Sequence, residues 1–332
     1  MKIIITGGSG YIGSMLTNEL SNHPDIELIY LIDIKDPKFL LKENKKVKFI
    51  KKNLVDDWES DVKESIDAII HLAFHIRRPF LPWELKRHIY ENKVGLEKVL
   101  DFASKNKVNK LIIASSIAVY GAKETNNPLK PFKEEDELKE DEYLYGKEKI
   151  EMEMMVKDFS QKNPETKIII LRLATVTGPF AQKIYKKGGL LKFLKNLTPI
   201  IPLTSKNSLR QYVHEDDAVS SIIFFLFKDF EDKFLIFNVA PDDFLYFEEI
   251  AKILNKKTIT LGYSLAKILF KIFWYLSWGK IPTSPGSINS YSFPIVVSNE
   301  KIKKFGFQFK YSAKDAFLGK KGKYSKLLAP ES

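Results

Sequence analysis

With 332 residues and a hydrophobic share of 44%, the chain can bury a sizeable core, room enough for one large domain plus a smaller unit, and wholesale disorder is excluded. It has no cysteine, which removes disulfides, thiolate nucleophiles and cysteine metal sites. The formal charge of +11 comes from 53 basic and 42 acidic residues. Only Arg77, Arg78, Arg87, Arg172 and Arg210 are arginines, and the lysines are interleaved with carboxylates, so no nucleic-acid partner is expected.

The opening Met-Lys-Ile-Ile-Ile-Thr-Gly has too short an apolar run for a signal-peptide core, and a cytoplasmic location is the expectation. Buried-strand patterns follow at 2–6, 27–33, 47–50, 67–73, 110–115 and 167–173. Helix-period stretches at 11–21, 83–106 and 145–161 lie between several of them. Such alternation predicts a parallel sheet with helices on both faces. Residues 122–142, with Pro128, Pro131 and many charges, read as a long exposed loop. The regular pattern stops after Gly178-Pro179, where Gly188-Gly189, Pro199 and Pro202 follow, and a second unit is expected from 179 to 332. Residues 212–239 are expected to return to the first unit, 1–178.

Thr6-Gly-Gly-Ser-Gly-Tyr-Ile-Gly13 joins the first strand to the first helix, with Gly7, Gly10 and Gly13 three residues apart. Glycines there let backbone N–H groups approach a pyrophosphate at a helix N-terminus, where the helix dipole favours negative charge. Tyr11 and Ile12 complete the turn. Asp33 ends the next strand twenty residues on, placed to accept hydrogen bonds from ribose hydroxyls and to repel a 2′-phosphate. No arginine follows it closely, so the predicted cofactor is NAD rather than NADP.

Further along, Tyr145-Gly-Lys-Glu-Lys149 puts a phenol and an ammonium on one helix face. A nearby ammonium, with a cationic nicotinamide, lowers a tyrosine pKa from about 10 and makes the phenol a usable base. Tyr143 and Lys147 satisfy the same spacing two residues earlier. The Gly after the Tyr and Glu153 eight residues on fit only the Tyr145 register. His75, His88 and His214 show no metal-ligand spacing, and no metal is expected.

Taken in order, these motifs resemble the extended short-chain dehydrogenase/reductase, or NAD-dependent epimerase/dehydratase, family. Asn53-Leu54-Val55-Asp56 is similar to the segment beside adenine, although the family usually has Asp at 53. His71-Leu72-Ala73 resembles the turn after the fourth strand, and Asn92-Lys-Val-Gly95 an Asn-bearing helix motif. Ser115-Ser116-Ile-Ala-Val-Tyr-Gly121 matches the fifth strand with its catalytic Ser116, and Arg172-Leu-Ala-Thr-Val-Thr-Gly-Pro179 closes the sheet. Ser298-Asn-Glu-Lys-Ile-Lys-Lys-Phe-Gly306 resembles a late helix and its glycine turn.

The resemblance implies an α/β fold, a Rossmann-type doubly wound parallel sheet with a smaller C-terminal substrate-binding domain. It implies a catalytic set of Ser116, Tyr145 and Lys149. NAD is then held by Gly7, Gly10, Tyr11, Ile12, Gly13, Asp33, Asn53, Leu54, Leu72, Ala73, Asn92 and Lys149. It also implies a homodimer paired through two helices. Dehydratases and decarboxylating members carry acidic residues where this chain has Ile117 and Ala118, which leaves alcohol–ketone redox, run once or twice per turnover.

Leu209-Arg210-Gln211 resembles the segment whose Arg grips the diphosphate of a nucleotide sugar, with Gln211 where Asp or Thr is usual. Thr175 stands where Asn is common. The expected activity is epimerase-like, on a nucleotide sugar. A dehydrogenase of sterol-like or other lipophilic alcohols is the alternative, since the aromatic-rich stretch 261–278 reads as either a substrate- or oligomer-contact helix or a peripheral membrane contact. A non-catalytic nucleotide-sensing or RNA-binding protein on the same fold is the alternative from another class.

Overall fold

The computed structural model describes residues 1–37, 44–184, 195 and 198–327. Gly188 and Gly189, which mark the change of sequence pattern, lie outside them. The first unit runs β1 (Lys2–Thr6), α1 (Tyr11–Ser21), β2 (Leu28–Asp33), β3 (Val47–Lys51), β4 (Ala68–His71), α2 (Pro82–Lys105), β5 (Lys110–Ser116), α3 (Leu144–Lys162) and β6 (Lys167–Leu173). Later in the chain come α4 (Glu215–Phe227) and β7 (Phe234–Val239). These strands form one seven-stranded sheet in the order β7-β6-β5-β4-β1-β2-β3, each pair parallel.

A parallel sheet covered on both faces needs strands that are apolar throughout, and Ile3, Ile4 and Ile5 of β1 are fully buried. Successive side chains alternate between faces. Ile70 and Ile112 thus join Met15, Leu20, Val219 and Phe225 on one side, while Ile69 and Ile113 join Leu96, Val99, Met152 and Val156 on the other. The strand order reverses between β1 and β4. At such a switch point the loops leaving the C-terminal strand ends diverge and open a crevice. The glycine turn after β1, residues 72–75 after β4 and Ser116 at the end of β5 all border it.

The second unit holds small paired strands, Ile200–Leu203 with Lys257–Thr260 and Leu209–Arg210 with Leu245–Tyr246. They pack with helices around Ile201, Phe247, Ile250, Ala266, Tyr291 and Phe317. Residues 122–142 lack helix and strand as expected, but they are pinned rather than simply exposed. Phe132 N donates to the Val296 carbonyl at 2.8 Å and Ser298 N to the Phe132 carbonyl at 2.8 Å. The buried Glu134 carboxylate accepts the Asn238 N–H at 2.8 Å. This segment ties the two units together on the way to α3.

Candidate active site

The glycine turn is closed by its own backbone: Gly10 N donates to the Gly7 carbonyl at 3.0 Å, and Gly7 N to the Ile32 carbonyl at 2.9 Å. Gly7 has φ +69°, and a Cβ there would come within 2.6 Å of Ala73 N. A Cβ on Gly13 would meet the Gly7 carbonyl at 2.2 Å. The cradle therefore exists only because these side chains are missing, as close backbone approach to a diphosphate requires. Ser9 Oγ is buried beside it without a hydrogen-bond partner among the described residues. Asp33 closes the far end, its Oδ2 accepting the Ser9 N–H at 3.0 Å and its Oδ1 the Lys35 N–H at 3.0 Å. Each oxygen retains a lone pair for a ribose hydroxyl.

Other residues expected around the cofactor divide into two groups. Leu72 and Ala73 run under the glycine turn, Leu72 N donating to the Thr6 carbonyl at 3.1 Å. Tyr11 donates its hydroxyl to Glu215, whose carboxylate also accepts the N–H groups of Phe180 at 2.8 Å and Ala181 at 3.0 Å. Nothing local to the glycine turn pointed to Glu215, 204 positions from Tyr11, as its partner. Leu54, in contrast, is a core residue beneath α2, and the Asn53 amide oxygen caps its own turn at Val55 N, 3.3 Å away. Asn92 braces two loops: its oxygen accepts the His75 N–H at 2.7 Å and its nitrogen donates to Glu148 at 3.2 Å.

The Ser116 hydroxyl lies near enough to the Tyr145 phenol to favour its ionised form, and Lys149 lies buried one helical turn beyond the tyrosine. Lys147, of the competing register, is exposed. Lys149 reaches across to strand β5. Its Nζ donates to the Ala114 carbonyl at 2.8 Å and sits 3.7 Å from the centroid of the Phe74 ring, against 5.9 Å from that of Tyr145. Burial pushes Lys149 down to about 7, partly opposed by Glu153 and Glu148. Burial pushes the Tyr145 phenol up from its usual value near 10, partly offset by the nearby Ser116 hydroxyl. Burial thus outweighs the other influences on the Tyr145 phenol. Burial, and after it the Lys149 charge, holds His71 down to about 3, a neutral imidazole 2.8 Å from Thr6 Oγ1.

An amine with a folded value near 7 and an unfolded value of 10.5 binds fewer protons folded than unfolded between those limits. Stability then rises with pH across that window, and the cost of burying the ammonium is felt in full below it. Relative to Lys149→Met, wild-type stability should climb between pH 7 and pH 10 by at most about 1.4 kcal/mol per pH unit. Urea unfolding of both proteins at a series of pH values measures that difference. A wild-type profile parallel to that of the variant would remove the depressed value.

The rotation of α3 is fixed by three contacts. Gly146 follows Tyr145 because a Cβ there would lie 2.8 Å from the Ala118 carbonyl, so the helix can approach the Ser116 turn only without a side chain. Glu140 Oε1 accepts the N–H groups of Glu142 at 2.9 Å and Tyr143 at 2.8 Å, just before the helix begins. On the buried side, Glu153 accepts both Nε and Nη2 of Arg172, the latter at 2.7 Å, together with the Ser115 hydroxyl at 2.5 Å. Glu153 thereby ties α3 to β5 and β6.

A shallow, solvent-open cleft lies beside Tyr145, lined by His75, Arg77, Arg78, His88, Tyr143 and Glu148. His75 and His88 stack with ring centroids 4.0 Å apart, and His75 Nε2 lies 2.7 Å from Glu91. Their sequence spacing did not predict that pairing. Arg210 donates to the Ser290 carbonyl at 2.9 Å, and its charge partly offsets the effect of burial on Tyr143, so it belongs to the same neighbourhood. Gln211 bridges the units instead: it donates to the Pro241 carbonyl at 2.8 Å and accepts the Val297 N–H at 3.0 Å. Thr175 is exposed and pairs with Tyr212.

A family model described as the NAD dependent epimerase/dehydratase family matches residues 3–240. The chain belongs to that family. A protein of Methanocaldococcus jannaschii, itself uncharacterized, is 30% identical to this family member over 77% of this chain and 82% of its own. Among solved structures, UDP-glucuronic acid 4-epimerase from Bacillus cereus, in complex with UDP-glucuronic acid and NAD, superposes with a TM-score of 0.72 at 18% identity, covering 96% of this chain and 97% of its own. UDP-glucose 4-epimerase from Thermotoga maritima, with UDP-glucose, gives 0.71 at 20% identity, covering 96% and 97%. The epimerase/dehydratase fold thus extends past the matched residues through the second unit.

Proposed function

We propose that this family member binds NAD across the glycine turn and epimerises a nucleotide sugar by transient oxidation of one hydroxyl. The placement of Ser116, at the end of β5, near Tyr145 in the first turn of α3, at the C-terminal edge of the sheet beside the glycine cradle, carries this reading. Tyr145 Oη takes the hydroxyl proton as the C–H bond is broken and returns it when the ketone is reduced on its other face. Ser116 Oγ holds the same substrate oxygen, and Lys149 stands behind the phenol. Bound NAD supplies the hydride acceptor and a positive ring that favours phenolate.

The absence of a carboxylate at Ile117 and Ala118 supports redox without loss of water. Arg210, reaching the neighbourhood of Tyr143, suits a diphosphate. The ligands of the Bacillus cereus and Thermotoga maritima enzymes make UDP-sugars the first substrates to try. Incubation with UDP-glucose and UDP-glucuronic acid, followed by proton NMR of the anomeric signals, should show a second epimer with no accumulation of NADH. Steady NADH accumulation with a ketone or acid product would replace epimerisation with net dehydrogenation. No turnover of any nucleotide sugar would remove the substrate class.

A further inference from the structure

Helix α5, Tyr263–Leu276, is built the wrong way round for a helix facing water. It packs inward through Ala266, Phe270 and Trp274, one turn apart, and of its residues only Ala266 and Trp274 are buried. Leu265, Ile268, Ile272 and Leu276 recur at helical spacing on the opposite side and are 50%, 58%, 43% and 75% exposed. Tyr275 and Trp278 extend the exposed surface at its C-terminal end. Phe80 sets its ring among Trp274, Tyr275 and Trp278, and Ile76 and Trp83, four residues before and three after it in sequence, are exposed as well. Scattered apolar side chains on a surface are ordinary; a contiguous patch of this kind marks an interaction site.

Charge says what kind. From Ile250 to Asn299 the chain has six lysines, 252, 256, 257, 267, 271 and 280, and not one Asp or Glu, although 42 of its 332 residues are acidic. Lys267 and Lys271 are exposed and flank the apolar stripe one turn apart. Lys267 lies 3.8 Å from Glu142, but Lys271 has no carboxylate in the segment beside it, so a second copy docked across a two-fold axis would set the stripe and Lys271 against themselves. A surface of anionic headgroups receives both parts: the apolar side chains enter the acyl boundary and the lysines remain at the phosphates. No helix among the described residues is long and apolar enough to cross a membrane, so α5 would lie in the interface plane.

We propose that the α5 face docks on anionic phospholipid bilayers. The cleft beside Tyr145 opens next to it, because Ile76, Arg77 and Arg78 line the cleft and Arg77 also donates to the Gly279 carbonyl at 3.0 Å. The docking does not depend on the substrate or reaction proposed above.

The test is co-flotation of the full chain with vesicles containing phosphatidylglycerol, against vesicles of phosphatidylcholine alone, at low salt. Binding to the first is expected, with a blue shift of tryptophan emission that Trp278→Phe diminishes. The triple variant Ile268→Ser, Ile272→Ser, Leu276→Ser changes only exposed side chains and should keep the wild-type unfolding midpoint. Its vesicle binding should fall by on the order of tenfold or more. Lys267→Glu with Lys271→Glu should remove the preference for anionic lipid. Wild-type protein that stays unbound, or a triple variant that binds as wild type does, would overturn the proposal. So would a dimer in sedimentation velocity that the triple variant abolishes, in the absence of vesicle binding, since the face would then belong to a second copy.

Discussion

Tyr145→Phe is expected to lower turnover by about 10²–10⁴-fold while leaving NAD affinity near that of the wild type. The variant deletes one oxygen from a ring that is otherwise held by packing, edge-on to Phe74 at a centroid distance of 5.7 Å and against Tyr143 at 6.0 Å. Neither contact uses the hydroxyl, so the ring should stay in place. What is lost is the group that accepts the substrate proton and the partner of Ser116. Substrate turnover by NMR and NAD binding by calorimetry separate the two quantities. Equal turnover in variant and wild type would move the proton to another group, and Tyr143, the alternative phenol, would be the next to replace.

Glu153→Ala should cost about 3–5 kcal/mol of folding stability. The substitution leaves the Arg172 guanidinium, only 3% exposed, with the Tyr120 hydroxyl at 2.7 Å and the Glu134 carbonyl at 3.0 Å but no anion. It also leaves the Ser115 hydroxyl without its acceptor. An uncompensated buried charge is the main penalty, so Glu153→Leu combined with Arg172→Met should recover most of the loss. Denaturant unfolding of the single and double variants measures this. A single variant within about 1 kcal/mol of wild type would mean that water reaches Arg172 and the pair is not buried in solution.

The fold was readable because its signals are local. Apolar runs of strand length, the glycine turn and the helix-period stretches each lie within a few tens of residues, and β1, α1 and β6 have the bounds expected of them. The site was readable in its register for the same reason: Gly146 and Glu153 sit on the helix they orient. What could not be read are contacts between distant segments. Tyr11 meets Glu215 across 204 positions of sequence, and Phe74 reaches Lys149 from a different loop. Spacing reports which face the Lys149 side chain takes, whereas the direction of its pKa depends on how much water that face retains, which the sequence does not show. The loop 122–142 looked solvated from its charges, yet Glu134 turns inward to cap Asn238 in β7 and Glu140 is buried capping Glu142 and Tyr143 at the start of α3.

The order of strands has a consequence for how this protein can be cut. Strand β6 is flanked by β5 on one side and on the other by β7, supplied by residues more than sixty positions later, through pairs such as Ile170 with Ile236. A fragment ending at Gly178 would hold every glycine, the serine, the tyrosine and the lysine of the site, but would present β6 as a bare, isoleucine-rich border with unpaired amides. Such a border recruits whatever strand it meets, and the shortened chain would precipitate or swap segments instead of working as a small soluble enzyme.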